Sequence, residues 1–132
     1  MDEPERELIQ AAREVRKRAY APYSKYRVGA ALRGASGQIY TGANVENASY
    51  GLTICAERSA IVKAISEGER KFTAIAVVTS TGATPCGACR QALAEFGDMR
   101  VLVVDGCGHV DTYTVSELLT HGFDGSQLKG KK

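Results

Sequence analysis

The chain has 132 residues, a formal net charge of +2, and a composition that is 44% hydrophobic and 24% charged. Those values describe one globular domain, spanning residues 1–132, that is long enough to bury a single core. They argue against a nucleic-acid strand as partner, because strand binding usually needs a basic groove.

Residues 1–7 are charged and lack an apolar centre, so they do not read as a secretory signal. No apolar run approaches the roughly 20 residues needed to span a bilayer, so no membrane role is expected. A soluble, cytoplasmic protein follows as the expectation. In a reducing compartment its four cysteines are better explained by metal binding or catalysis than by a disulfide framework.

Over residues 2–20, Leu8, Ala11, Ala12, Val15 and Ala19 recur at three- and four-residue spacing, which predicts an amphipathic helix. Its closing Arg16, Lys17 and Arg18 complement the helix dipole. Pro22 ends it. Residues 26–33 switch to a period of two, with Val28, Ala30 and Leu32 on one face. A turn at 34–37 and a strand at 39–45 complete an antiparallel hairpin. A polar loop follows, from Asn44 to Gly51.

A second helix is predicted from about Thr53, with Ala56, Ala60, Ile61, Ala64 and Ile65 inward and Gly68 as its stop. Residues 74–78 and 101–104 read as buried strands around a helix at 85–96, which is a parallel crossover. A strand at 110–114 and a short helix at 116–119 end the pattern. The basic tail 129–132 reads as a fraying terminus. The order of elements predicts an α/β fold, a three-layer α-β-α sandwich around a mixed five-stranded sheet with helices on both faces.

Pro85-Cys86-Gly87-Ala88-Cys89 contains a C-x-x-C, and positions three apart share a helix face. Thr84 is placed to cap this helix, with Pro85 at its first position. Thr53 is placed similarly before Cys55. Thiols at helix starts favour the thiolate, the form that binds metal. Two helix starts aimed at one point would thus bring Cys55, Cys86 and Cys89 to one zinc ion.

Structural zinc sites fill four protein positions, whereas catalytic sites keep one for water. A closed site would have to recruit Cys107, His109 or His121, none of which has a matched spacing. Otherwise Glu57, two residues after Cys55, stands where a non-ligating general acid/base is needed. Taken alone, Glu57 is merely a favourable acid in a helix's first turn. Zinc with three thiolates carries a net charge of about −1, which opposes activation of water. Arg58 and Arg90 flank ligands and could donate to the sulfurs; the alternative is that they are solvated.

Cys55-Ala56-Glu57 followed by Pro85-Cys86-Gly87-Ala88-Cys89 resembles the signature of the zinc nucleobase deaminases. With Arg58, Arg90 and Gln91 it is most similar to the small homotetrameric cytidine deaminases. The resemblance extends over Tyr20 to Tyr26, Val28 to Leu32, Gly42 to Ala48 and Glu117 to Leu119. It implies one Zn2+ per subunit on Cys55, Cys86 and Cys89, with Glu57 moving protons. It implies a zinc-activated hydroxide attacking C4 of cytidine or 2′-deoxycytidine, with loss of ammonia, in pyrimidine salvage. It further implies that the Ala56 backbone helps hold the pyrimidine and that Asn44 and Glu46 bind the sugar hydroxyls.

By the same resemblance, Tyr26 stands against base or sugar where phenylalanine is usual. Phe123 is implied to stack on the base from a neighbouring subunit, and Tyr50 to make an intersubunit contact. The segment Thr120-His121-Gly122-Phe123 departs from the family's usual proline and glycine order. Glu46 favours a free nucleoside over a nucleotide or strand, since its charge would repel a phosphate. Three other readings compete: a deaminase for a cytosine-containing antibiotic such as blasticidin S, a non-catalytic zinc protein, and a thiol-disulfide role for Cys86 and Cys89.

Overall fold

A computed structural model describes residues 1–129; the rest of the basic tail, 130–132, lies outside the described residues. The elements are α1 (Glu3–Arg16), β1 (Gly29–Gly34), β2 (Ile39–Ala43), α2 (Ala56–Ser66), β3 (Phe72–Val78), α3 (Gly87–Ala94), β4 (Arg100–Val104), β5 (Val110–Thr114), α4 (Val115–Leu118) and α5 (Gly125–Lys129). A single 3-10 turn, Tyr50–Leu52, interrupts the loop before α2. No helix among the described residues is long and apolar enough to cross a membrane.

The strands form one sheet in the order β2-β1-β3-β4-β5. β3 and β4 run parallel and every other neighbouring pair is antiparallel. Alternation along the three central strands splits the core in two. Ala30, Leu32, Ile75, Val77, Val101 and Val103 face α2 and α3, where they meet Ala56, Ala60, Ile61, Ala64 and Leu93. Ala31, Ala76, Val78, Leu102 and Val104 face α1, where they meet Leu8, Ile9 and Ala12. The result is the three-layer α-β-α arrangement with a mixed five-stranded sheet that the pattern predicts.

Boundaries shift where side chains take over backbone bonds. α1 ends at Arg16 rather than at residue 20, because Tyr20 is drawn into bridging: its N–H donates to Asn44 O and its carbonyl accepts from Glu46 N. β1 starts at Gly29 rather than at residue 26. The Asn44 side chain occupies the intervening backbone, accepting from Val28 N at 2.9 Å and donating to Tyr26 O at 2.8 Å. β2 stops at Ala43, since Val45 pairs with Ile54 instead of continuing the hairpin. α5 is a short helix that the periodicity does not predict.

Neither expected threonine caps its helix. Cys55 and Cys86 themselves are the N-cap residues of α2 and α3, both extended in backbone and neither making a side-chain capping bond. Thr53 Oγ1 instead accepts from Asn47 N, and Thr84 Oγ1 accepts from Arg90. Each helix therefore starts later than expected, and each sulfur projects from a helix mouth without being used by its own helix.

α2 lies so close to β2 that one residue must be small. A Cβ on Gly42 would stand 2.5 Å from Ala60 N and 2.7 Å from Ala56 O, both backbone atoms of α2. Real structures do not tolerate such distances, so α2 would have to back away from the sheet. Gly42→Ala is therefore expected to lower stability by about 1–3 kcal/mol, read from chemical denaturation of the purified protein. Unchanged stability would mean that α2 is not seated against β2 at this point.

Candidate metal and catalytic site

The site sits where α2 and α3 begin, beyond the ends of β2 and β3. Each ligand loop is fixed before its cysteine. Val45 and Ile54 exchange two backbone hydrogen bonds of 2.9 Å, which sets the chain one residue before Cys55. On the other side buried Thr79 takes Gly82 N and Ala83 N on its hydroxyl, at 2.8 and 3.1 Å, and so closes the turn that leads to Pro85.

The three sulfurs of Cys55, Cys86 and Cys89 all lie within 4.8 Å of one another, and Cys55 Sγ is 3.8 Å from Cys86 Sγ. Two thiolates on one tetrahedral zinc are separated by about 3.8 Å, given Zn–S bonds near 2.3 Å. The Cys55–Cys86 pair already has that separation, and a set of three cysteine sulfurs suits a zinc ion. Among the described residues this is the only grouping of metal-ligating side chains. Cys107 and His109 belong to the β4–β5 turn, where His109 Nε2 lies 3.1 Å from Asp111. His121 follows α4 in a left-handed conformation with φ 55°. Among the described residues no fourth ligand stands with the three cysteines, so a zinc ion held by them would keep one position for water. All four cysteines are free thiols.

The electrostatics are uneven across the cluster. Cys55 has its thiol pKa lowered, first by a hydrogen bond from the Cys89 thiol and then by Arg58, whose Nη2 donates to Cys55 Sγ at 3.5 Å. Cys89, fully buried, has its pKa raised by that same bond and by desolvation. Arg58 Nε is buried and has no hydrogen-bond partner.

Arg90 departs from both expectations. It lies four residues after Cys86, where the sequence allows either a donor to sulfur or a solvated side chain. Its Nε donates to Pro85 O at 2.7 Å, its Nη1 to Leu118 O at 2.8 Å and its Nη2 to Thr84 Oγ1 at 2.7 Å. None of these bonds reaches sulfur. Its guanidinium instead holds the backbone immediately before Cys86.

Glu57 occupies the first turn of α2 and is only 5% exposed. Burial pushes its pKa up to about 6, and the nearby Cys55 adds to that rise. A carboxyl group with its pKa near neutrality can both take up and release a proton, which is what a general acid/base needs. Ala56, beside it, is fully buried at the first helical position.

The remaining sequence candidates divide into two groups. Asn44 and Glu46 are locked into scaffolding. Asn44 spans Tyr26 and Val28 as described above, which leaves one amide hydrogen and one carbonyl lone pair unassigned. Glu46 accepts from Tyr23 N at 2.9 Å, from Ser24 N at 3.1 Å and from the Ser24 hydroxyl. The Ser24 hydroxyl bond, backed by the two amides, holds its carboxyl below the usual range. Tyr26 ends in a 2.7 Å hydrogen bond to Thr81 Oγ1, so the hydroxyl joins the loop before β1 to the loop before Cys86.

Tyr50 and Phe123 stand apart, 77% and 54% exposed. Tyr50 meets Tyr23 edge to face, with centroids 6.4 Å apart. The sequence assigns no role to Ser24, Thr81 or Gln91, although Gln91 belongs to the motif after Cys89, because each acts through a contact far away in sequence that no local spacing signals.

Comparison with known proteins agrees with this geometry. A family model, the cytidine and deoxycytidylate deaminase zinc-binding region, matches residues 2–105. The cytidine deaminase of Sporosarcina psychrophila is 47% identical over 125 residues, covering 92% of each chain. That of Halalkalibacterium halodurans is 50% identical over 125 residues, covering 92% of this chain and 95% of its own. The crystal structure of cytidine deaminase from Burkholderia pseudomallei superposes with a TM-score of 0.87 at 44% identity, over 93% of this chain and 100% of that one. The converging thiols, the buried acid beside them and these likenesses place the chain in the cytidine and deoxycytidylate deaminase zinc-binding family.

Proposed function

We propose that this protein is a zinc-dependent hydrolase that deaminates free cytidine and 2′-deoxycytidine to the uridine products, in pyrimidine salvage in the cytoplasm. The observation that carries the reading is the cluster of Cys55, Cys86 and Cys89 with buried Glu57 beside it on the same helix start. The relatives named cytidine deaminase, at 47% and 50% identity over nearly the whole chain, support it.

Bound zinc supplies the Lewis acidity that makes water a nucleophile near neutral pH. The chain's own residues do the rest. Glu57 takes a proton from the attacking water, delivers it to the ring nitrogen of the pyrimidine, and helps protonate the departing amine. Its burial keeps bulk water from competing for that proton. The backbone at Ala56 holds the base. Arg58 spreads positive charge toward Cys55 and offsets part of the thiolate charge, which leaves more of the metal's charge for water.

Asn44 and Glu46 receive the sugar. Each has capacity left over from its structural bonds, and each is held still by those bonds, so little entropy is lost on binding. A carboxylate at this place accepts from free hydroxyls and repels phosphate, which selects a nucleoside over a nucleotide. Tyr26, tied to Thr81, forms a side wall against base or sugar.

The enzyme works as a homotetramer with sites at subunit interfaces. Phe123 of one subunit stacks on the base held by a neighbour, and Tyr50 contributes to the same interface. Tyr20, Tyr23, Tyr50, Leu52 and Ile54 are all more than 40% exposed, and such an apolar surface favours burial against another subunit.

Glu57→Gln keeps shape and removes the titrating group. Its kcat for cytidine is expected to fall by about 10²–10⁴-fold with zinc content unchanged, followed as the loss of cytidine absorbance. Near-normal turnover would remove Glu57 from the reaction. Supplying blasticidin S to the unaltered enzyme separates the antibiotic reading, which requires it to outpace both nucleosides.

Light scattering after gel filtration is expected to give a mass of four times 14.1 kDa. A fully active monomer would contradict sites shared between subunits.

A further inference from the structure

Phe123 is a large apolar side chain left 54% exposed, yet its main chain is held unusually firmly. The Gln91 amide brackets it from both sides. Gln91 Nε2 donates to Phe123 O at 2.6 Å, and Phe123 N donates to Gln91 Oε1 at 3.2 Å. An amide that gives one bond and takes one at a single residue imitates a strand partner, and it fixes the backbone direction at that residue.

The flanking residues reinforce the hold. His121 adopts a left-handed backbone, with φ 55°. A Cβ on Gly122 would come within 2.8 Å of Leu119 Cδ2, so the loop passes close over the end of α4. Beyond Phe123, Asp124 Oδ1 accepts from Ser126 N at 2.9 Å and fixes the turn into α5. Upstream, Arg90 donates to Leu118 O at 2.8 Å.

Arg90 and Gln91 are consecutive on α3, and they immediately follow Cys89. The helix that presents a metal ligand therefore also anchors, through its next two residues, the segment that carries Phe123.

We infer that Gln91 is a positioning residue for the reaction: its amide clasp fixes Phe123 on the zinc-ligand helix so that the ring is offered in one orientation to the pyrimidine in the neighbouring subunit's site. This rests on the proposed stacking role of Phe123. The chemical consequence is specific. A floppy Phe123 would have to be ordered each time substrate binds, and that cost appears in substrate binding rather than in the chemical step. Gln91 itself touches neither substrate nor metal.

The test uses the zinc-loaded oligomer and four variants: Gln91→Ala, Gln91→Met, Phe123→Ala and the double variant Gln91→Ala/Phe123→Ala. Zinc content and oligomer mass are checked for each. Gln91→Met keeps the length and packing of the side chain while removing both hydrogen bonds, so it separates the clasp from simple space-filling. Phe123→Ala is expected to raise KM for cytidine at least about tenfold, the scale of one base–aromatic stack. Gln91→Ala and Gln91→Met are each expected to raise KM about fivefold with kcat nearly unchanged. Adding Gln91→Ala to Phe123→Ala is expected to change KM no further, because both act through one ring.

The clasp is overturned if Phe123→Ala raises KM but the Gln91 variants do not. It is equally overturned if Gln91→Met behaves as the unaltered enzyme, or if the two effects multiply in the double variant. If Phe123→Ala leaves KM unchanged, the stacking role itself fails and the clasp fails with it.

Discussion

Bringing three sulfurs within 4.8 Å of one another carries an electrostatic cost, and much of the site's construction offsets it. Thiolates repel at that range in a partly dry environment. The chain answers with two helix mouths and one guanidinium. Cys55 and Cys86 are the N-cap residues of α2 and α3, where unpaired amides and the helix dipole favour negative charge. Arg58 adds a direct bond to Cys55 Sγ. Neither cap sulfur spends itself on its own helix, so both remain available to a metal. The cysteines thus replace the expected threonine caps because the position that normally stabilises a helix start is given over to the metal.

The sheet makes this convergence possible. α2 follows the hairpin, and α3 forms the crossover between parallel β3 and β4, so both helices start at the same end of the same face. α2 can reach far enough only because Gly42 lets it lie against β2. The loops entering the two helices are then tied down independently, by the Val45–Ile54 pair and by Arg90 on Pro85 O and Thr84 Oγ1. Positioning is therefore divided among several modest hydrogen bonds rather than concentrated in one. Such an arrangement keeps reacting groups in place before substrate or metal arrives, which is the main way a site lowers the cost of orienting them.

Much of this was legible in the sequence, for identifiable reasons. The continuous apolar runs of β3 and β4, buried on both faces, and the spacing of Ala56, Ala60, Ile61 and Ala64 on one helix face reflect burial, and burial leaves a local pattern. Cys86 and Cys89 are likewise local, three apart on one helix. What the pattern could not show are side chains that substitute for backbone. Asn44 takes the bonds that would have extended β1 to residue 26, and Tyr20 leaves α1 to bridge Val45. Arg90 looked like a charge for the sulfurs because it sits next to Cys89, yet its reach turns it toward Pro85, Thr84 and Leu118. Sequence adjacency and spatial direction differ on a helix, where each residue turns about 100° from the last. The Ser24–Glu46 and Gln91–Phe123 contacts join residues 22 and 32 apart, and no spacing rule connects them.

The central claim is that three thiolates and one exchangeable position make up the metal centre. X-ray absorption at the zinc edge of the isolated enzyme tests it most directly. The account predicts three sulfur scatterers at about 2.3 Å and one lighter oxygen or nitrogen scatterer, with that fourth position altered by a pyrimidine nucleoside inhibitor. Four sulfur scatterers, unaffected by inhibitor, would mean that Cys107 or another thiol closes the site, and the catalytic reading would be wrong.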